Sequence, residues 1–112
     1  MKYIVAIDIG GTTFNSGIFS ESMNQVASSD KDKIRNHGDK ESVINAIIEQ
    51  VNNLILESNI ERSDIIGVGI GAPGPLDAKK GVILKTPNLT IFQDYKIASD
   101  FTKKLKLDTF IE

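Results

Sequence analysis

The sequence predicts an α/β domain in which a mixed five-stranded sheet carries helices on its faces. Three observations carry that expectation. An apolar opening run is followed by a glycine pair and a second strand-like run, in "IVAIDIGGTTFNSGIF" (residues 4–19). Apolar residues then recur at helical spacing from Val43 to Ile55. Beyond that helix, strand and helix signals alternate as far as the closing "DTFIE".

Taken in order, residues 2–9 are β-branched and apolar with little alternation, the pattern of a strand covered on both faces. Gly10-Gly11 permits a tight reversal, and "TTFNSGIFS" sets Phe14, Ser16 and Ile18 against Asn15, Gly17 and Phe19, completing a hairpin. A third strand falls within residues 24–34. Asp39 or Ser42 caps a helix whose Val43, Ile44, Ile47, Ile48, Val51, Leu54 and Ile55 repeat every three or four positions. "SDIIGVGIGA" reads as a buried strand studded with glycine, "PGPLDAKKG" as turn material, and "VILKT" as a short strand. A second amphipathic helix begins near Asp94, with Ile97, Phe101 and Leu105 four apart, and "DTFIE" is the last strand. With no repeat or internal linker, residues 1–112 are expected to form one domain.

Composition excludes several function classes. A formal net charge of −2 leaves no basic excess to neutralise a nucleic-acid backbone. Cysteine is absent, which removes disulfides, thiolate metal sites and cysteine nucleophiles together. The opening "MKYIVAID" imitates a leader only until Asp8, and no run approaches the roughly 20 apolar residues of a membrane span. A cytoplasmic location is the resulting expectation.

The chemistry centres on Asp8. A carboxylate in a covered strand costs several kcal/mol, about 3–5, unless it is paired or near a cation. Two residues later the glycine pair lacks Cβ atoms, so an anion could approach the backbone N–H groups, and Thr12 and Thr13 add hydroxyl donors. Together these residues would make a phosphate cradle beside a carboxylate suited to hydrated Mg²⁺. A glycine pair alone is more often only a turn. The pattern G-x-x-x-x-G-K-[ST] is absent; G-x-G-x-x-G occurs at Gly69, Gly71 and Gly74, but Pro73 and Pro75 leave no room for the helix that fingerprint needs, so the match is read as accidental. Pro73 and Pro75 stiffen a loop, and Asn88 could bond a sugar hydroxyl or simply form a Pro-Asn turn. His37 reads as a solvated loop histidine, and "SDKDKIR" as a charged, exposed segment without a required role.

Three stretches in order, "AIDIGGTT", "GVGIGAPGPLD" and "KTPNL", together resemble the N-terminal lobe of a sugar kinase of the ROK family. That family (repressors, uncharacterised reading frames, kinases) lies within the actin, hexokinase and heat-shock chaperone ATPase superfamily, so the resemblance implies an actin-like ATPase, ribonuclease H-like domain. It further implies that Asp8 holds Mg²⁺ through water and that Gly10, Gly11, Thr12 and Thr13 contact the β- and γ-phosphates of ATP. Gly71 and Ala72 would border the sugar, and Asn88 would bond one of its hydroxyls. The implied partner is a hexose or amino-hexose, with no nucleic acid and no membrane; a homodimer is compatible with the resemblance. Many relatives carry lysine where this chain has Thr13, which leaves the cradle without a fixed cation.

In the family, a strand resembling "TFIE" leads into an Asn-Asp pair whose aspartate is the general base, so that residue is expected beyond Glu112. The second lobe, the histidine and cysteine zinc motif of many members, and the adenine half of the site are likewise outside these residues. The expectation is an N-terminal domain of a glucokinase-like hexose kinase, with no catalytic residue of its own and no kinase turnover when alone. The alternative is a non-catalytic sugar- or phosphate-binding module. A family repressor is disfavoured, because its DNA-binding helix-turn-helix precedes the first motif, which here starts within ten residues of Met1.

Overall fold

The computed structural model describes residues 1–72, 75–84 and 90–111. β1 (Tyr3–Ile9) and β2 (Thr13–Ser20) form the expected antiparallel hairpin, with Val5 opposite Ile18, Ile7 opposite Ser16 and Ile9 opposite Phe14. The third-strand region resolves into β3 (Gln25–Ser28) and β4 (Asp32–Lys33), both antiparallel to β2. α1 (Lys40–Glu57) leads to β5 (Ile65–Gly71), which runs parallel to β1. A small separate hairpin of β6 (Leu76–Asp77) and β7 (Val82–Ile83) precedes α2 (Ile97–Leu105) and β8 (Thr109–Ile111), which is parallel to β5. The main sheet therefore runs β3-β2-β1-β5-β8, the mixed five-strand path expected, with β4 as a sixth strand beside β2.

The expectation that β1 is covered on both faces needs correction. One sheet face presents Val5, Ile7, Ile9, Phe14, Ile18, Val68, Ile70 and Ile111, and all of them join the buried residues of α1 and α2 in a single core. Both helices thus cover the same face. Opposite lie Ile4, Ala6, Asp8, Asn15, Phe19 and Phe110, none of them fully buried, along a groove of about 500 Å³. β1 alternates accordingly and is covered on one face only. Its open-face residues are mostly apolar, and this hid the alternation in the sequence.

α1 forms because its apolar stripe has somewhere to go. Val43, Ile44, Ile47, Val51, Leu54 and Ile55 are buried, each worth roughly 1.5–3 kcal/mol relative to exposure. Asp39, rather than Ser42, is the cap: its carboxylate accepts from the Ser42 amide at 2.9 Å, a bond that holds its pKa below the usual range. The two buried serines are held within hydrogen bonds: Ser16 donates to Gln50 of α1 at 2.7 Å, and the Ser20 hydroxyl lies 2.9 Å from that of Ser22. Among the described residues no helix is long and apolar enough to cross a membrane.

α2 starts at Ile97, not at Asp94, whose φ of 58° places it in a turn. Before it, Tyr95 bridges back to Ile83 through reciprocal backbone bonds of 2.9 and 3.1 Å, and Asp94 N–H donates to the Leu84 carbonyl at 2.7 Å. The Tyr95 hydroxyl donates to Asp100, Lys104 donates to the same carboxylate at 2.9 Å, and the Lys40 ammonium lies 4.3 Å from the Tyr95 ring centroid. Burial, together with the bond to Asp100, pushes the Tyr95 phenol far above its usual range, so it remains a donor. Burial works against the Asp100 charge, but the bonds from Tyr95 and Lys104 and the charges of Lys104 and Lys103 outweigh it and hold the carboxyl below the ordinary value.

Two stability predictions follow from this region. Gly81 has φ of 68°, its carbonyl accepts from Ala98 of α2 at 3.1 Å, and a Cβ there would overlap the Ala98 methyl. Gly81→Ala is expected to cost about 2–4 kcal/mol in urea unfolding, from left-handed strain plus overpacking. Because the Asp100 carboxyl is depressed in the folded state, its contribution is complete above the unfolded value of about 3.9 and disappears as pH falls through the lower folded value. The difference in Tm between wild type and Asp100→Asn is therefore expected to be largest near neutrality and to narrow below about pH 4.

Candidate functional site

β1 and β5 are parallel, with Asp8 level with Gly71, so their carboxyl ends lie together at one edge of the sheet. β8 is parallel to them and ends at Ile111, level with Ile70. Open sheets place ligands at such an edge, outside the carboxyl ends of parallel strands. Asp8 stands there on the open face, with Asn15 opposite it on β2 and Gly71 beside it on β5. A Cβ on Gly71 would come within 3.8 Å of Asp8 Oδ1, so the absence of a side chain keeps that carboxylate accessible from the β5 side.

Asp8 is exposed, which overturns the argument that its carboxylate is held at high desolvation cost inside a covered strand. Its position at the mouth of the strand is as expected. Among the described residues no group of three or more His, Asp or Glu side chains gathers to hold a metal. A lone carboxylate suits Mg²⁺ that keeps its water and takes other ligands from a phosphate, and does not suit a metal bound by protein alone.

The β1–β2 loop continues from Asp8. Gly10 N–H donates to the Thr13 carbonyl at 2.8 Å and closes the reversal, with Gly11 and Thr12 exposed at the tip and Thr13 half-buried. Neither glycine adopts a left-handed φ; among the described glycines only Gly38 and Gly81 do. A Cβ on Gly10 would sit at ordinary contact, 3.5 Å from the Thr13 carbonyl oxygen, and one on Gly11 would meet nothing within 4 Å. The reversal falls where the glycine pair permits it, but the turn itself requires neither glycine.

Ala72 follows Gly71 and is half-buried, which puts the expected sugar-bordering pair beside the carboxylate. Asn88 lies outside the described residues, as do Pro73 and Gly74. The next described element after β5 is β6, a strand, so no helix opens among the described residues 75–84 to complete a dinucleotide fingerprint at Gly69 and Gly71.

The charged stretch "SDKDKIR" is mostly exposed and His37 lies in a turn, as expected, but both have a structural role that the charge pattern did not indicate. Asp32 and Lys33 form β4, paired with Phe14 and Thr13, and Ile34 is buried. His37 Nε2 lies 2.8 Å from Asp32 Oδ2, and its ring centroid is 5.9 Å from that of Phe14. This segment thus braces the flank of the glycine loop. The signal available in the sequence was the single apolar residue, Ile34, among six polar ones.

The ROK family model matches residues 4–112. A glucokinase from Thermotoga maritima is 30% identical over 109 residues, covering 97% of this chain and 32% of the relative. A xylose repressor from Caldicellulosiruptor bescii is 25% identical over 109 residues, covering 97% of this chain and 27% of the repressor. Among solved structures, a ROK hexokinase from Thermus thermophilus superposes with a TM-score of 0.82 at 26% identity, over 98% of this chain and 34% of that one. A ROK family glucokinase from Streptomyces griseus, solved in complex with glucose and AMPPNP, gives 0.80 at 24% identity, over 98% and 32%. The chain spans about a third of the length of these proteins. With the family model matched from Ile4 onward and the fold shared with a ROK hexokinase over nearly the whole chain, the chain belongs to the ROK family.

Proposed function

We propose that this chain is the N-terminal, phosphate- and sugar-binding lobe of an ATP-dependent hexose kinase. Asp8 would hold Mg²⁺ through water, and Gly10, Gly11, Thr12 and Thr13 would receive the β- and γ-phosphates. Gly71 and Ala72 would border the sugar, with Asn88 as a hydroxyl partner. The observation that carries this reading is the glycine pair: two adjacent glycines that satisfy no conformational or packing demand of the turn, beside an exposed carboxylate at the carboxyl edge of the parallel strands. Close approach of an anion to bare backbone N–H groups is a demand that would require them.

Phosphoryl transfer needs little covalent help from the protein and much positioning and charge stabilisation. Mg²⁺, when bound, would neutralise charge on the phosphates. The chain's own contribution is to hold the phosphates against the loop donors, while Gly71 and Ala72 set the sugar next to the same carboxylate. The glucokinase and hexokinase relatives, one of them solved with glucose and AMPPNP, support ATP and a hexose as ligands. The relatives' greater length supports a second lobe elsewhere in the protein, with the general base following the strand equivalent to β8. On this reading residues 1–112 bind and do not turn over.

Repressor relatives share the lobe, so nucleotide binding separates the readings. In amide NMR titrations, Mg·ATP is expected to shift residues 8 and 10–13, hexoses to shift residues 71 and 72, and Asp8→Asn to remove the magnesium dependence. A response to hexose with none to nucleotide would instead favour the non-catalytic sugar-binding module. Gly11→Ala separates site from fold. Its Cβ enters open space, so stability should stay within about 0.5 kcal/mol in urea unfolding, while nucleotide affinity falls by about tenfold. Loss of stability without loss of binding would return Gly11 to the role of a turn residue.

A further inference from the structure

The glycine loop offers N–H and hydroxyl donors but no positive charge, and its neighbour Asp8 adds a negative one. A polyphosphate seated there needs a cation from the protein on at least one side, besides any metal at Asp8. β4 brings one. Lys33 is the antiparallel partner of Thr13, and the Ile34 amide donates to the Thr12 carbonyl at 2.9 Å. That bond pattern, from the residue after Lys33 to the residue before Thr13, makes Lys33 and Thr13 a non-hydrogen-bonded pair. In such a pair both side chains project from the same face and their Cβ atoms approach to about 4.5–5.5 Å.

The face they share is the open one. Along β2, Thr13 and Asn15 alternate with the buried Phe14 and Ser16, and Asn15 is opposite Asp8. Lys33 is exposed, and among the described residues it makes no ion pair. The acid next to it is engaged elsewhere: Asp32 is opposite the buried Phe14, and its carboxylate is held by His37 at 2.8 Å. The His37–Asp32 pair therefore does two things. It braces β4 against β2, and it holds the adjacent Asp32 carboxylate on the core-facing side, away from Lys33.

We propose that Lys33 is a phosphate-binding residue of this lobe, donating from β4 to a phosphate oxygen seated against Gly10–Thr13. The proposal rests on the reading of that loop as a phosphate site. It assigns a binding role to a strand outside the motif stretches, and gives a use to the exposed lysine of a charged segment that pairs beside the loop.

Inorganic tripolyphosphate is a suitable probe because it needs no adenine contacts. Titrated into the 112-residue chain and followed by amide NMR at low salt, it is expected to shift residues 10–13 and 33 together. Lys33→Gln should weaken the fitted Kd by about threefold to tenfold, with Lys33→Arg restoring most of the loss and Lys31→Gln, two residues away, having no effect. Urea unfolding of Lys33→Gln should match wild type. Equal affinity of wild type and Lys33→Gln, with the loop shifts intact, would overturn the role of Lys33 alone. Equal weakening by Lys31→Gln would overturn it too, by showing a general charge effect. Absence of loop shifts in wild type would overturn the phosphate reading of the loop and Lys33 with it.

Discussion

The rest of the molecule depends on how β1 is held. It is hydrogen-bonded along both edges, antiparallel to β2 and parallel to β5, and buried on one face only. Because side chains alternate with a period of two, the register that sends Val5, Ile7 and Ile9 into the core must send Ile4, Ala6 and Asp8 to the open face. A slip of one residue would bury Asp8 among isoleucines and expose Ile7, so core packing enforces the carboxylate's position. The same registers then set Asn15 on one side of Asp8 and Gly71 on the other. Site geometry here is a by-product of hydrophobic packing on the opposite face.

That separation explains which parts were legible in the sequence. α1 was clear because seven apolar residues repeat on one face and an aspartate stands at the cap position, both local signals. The strand order was legible in outline, since hairpins and β-α-β crossovers leave few ways to build a sheet. What failed was burial. Ile4 and Ala6 look like core residues, and no single strand reveals that its second face is open; this misread Asp8 as a buried charge. β4 failed for the opposite reason. Two residues of strand in a run of Asp and Lys carry no periodicity, and only the tertiary pairing with Thr13 and Phe14 makes them a strand.

The hairpin and β4 together show how one alternation can serve two faces. At Phe14 the side chain goes down into the core, with the His37 ring packed near it and Asp32 bonded to that ring. One residue earlier, Thr13 and Lys33 project the other way. Packing energy on the helix side thereby fixes polar groups on the open side without any contact between the two sets. The brace is also economical in charge: the histidine holds the aspartate, and the lysine is left to the open face.

Kinases and repressors share this lobe, and the geometry suggests how one fold accommodates both. The expected phosphate contacts come from the loop between β1 and β2, and the expected sugar contacts from the carboxyl end of β5. These are separate pieces of chain, joined only by the parallel register that sets Asp8 beside Gly71. A Cβ on Gly11 at the loop tip would meet open space, and one on Gly67 or Gly69 would reach only ordinary contact with Phe110 across the strand pair. The tip of the expected phosphate loop can therefore change at little cost to the fold. A glycine pair at that tip, where the fold does not require it, is the feature of this chain that argues for phosphate chemistry.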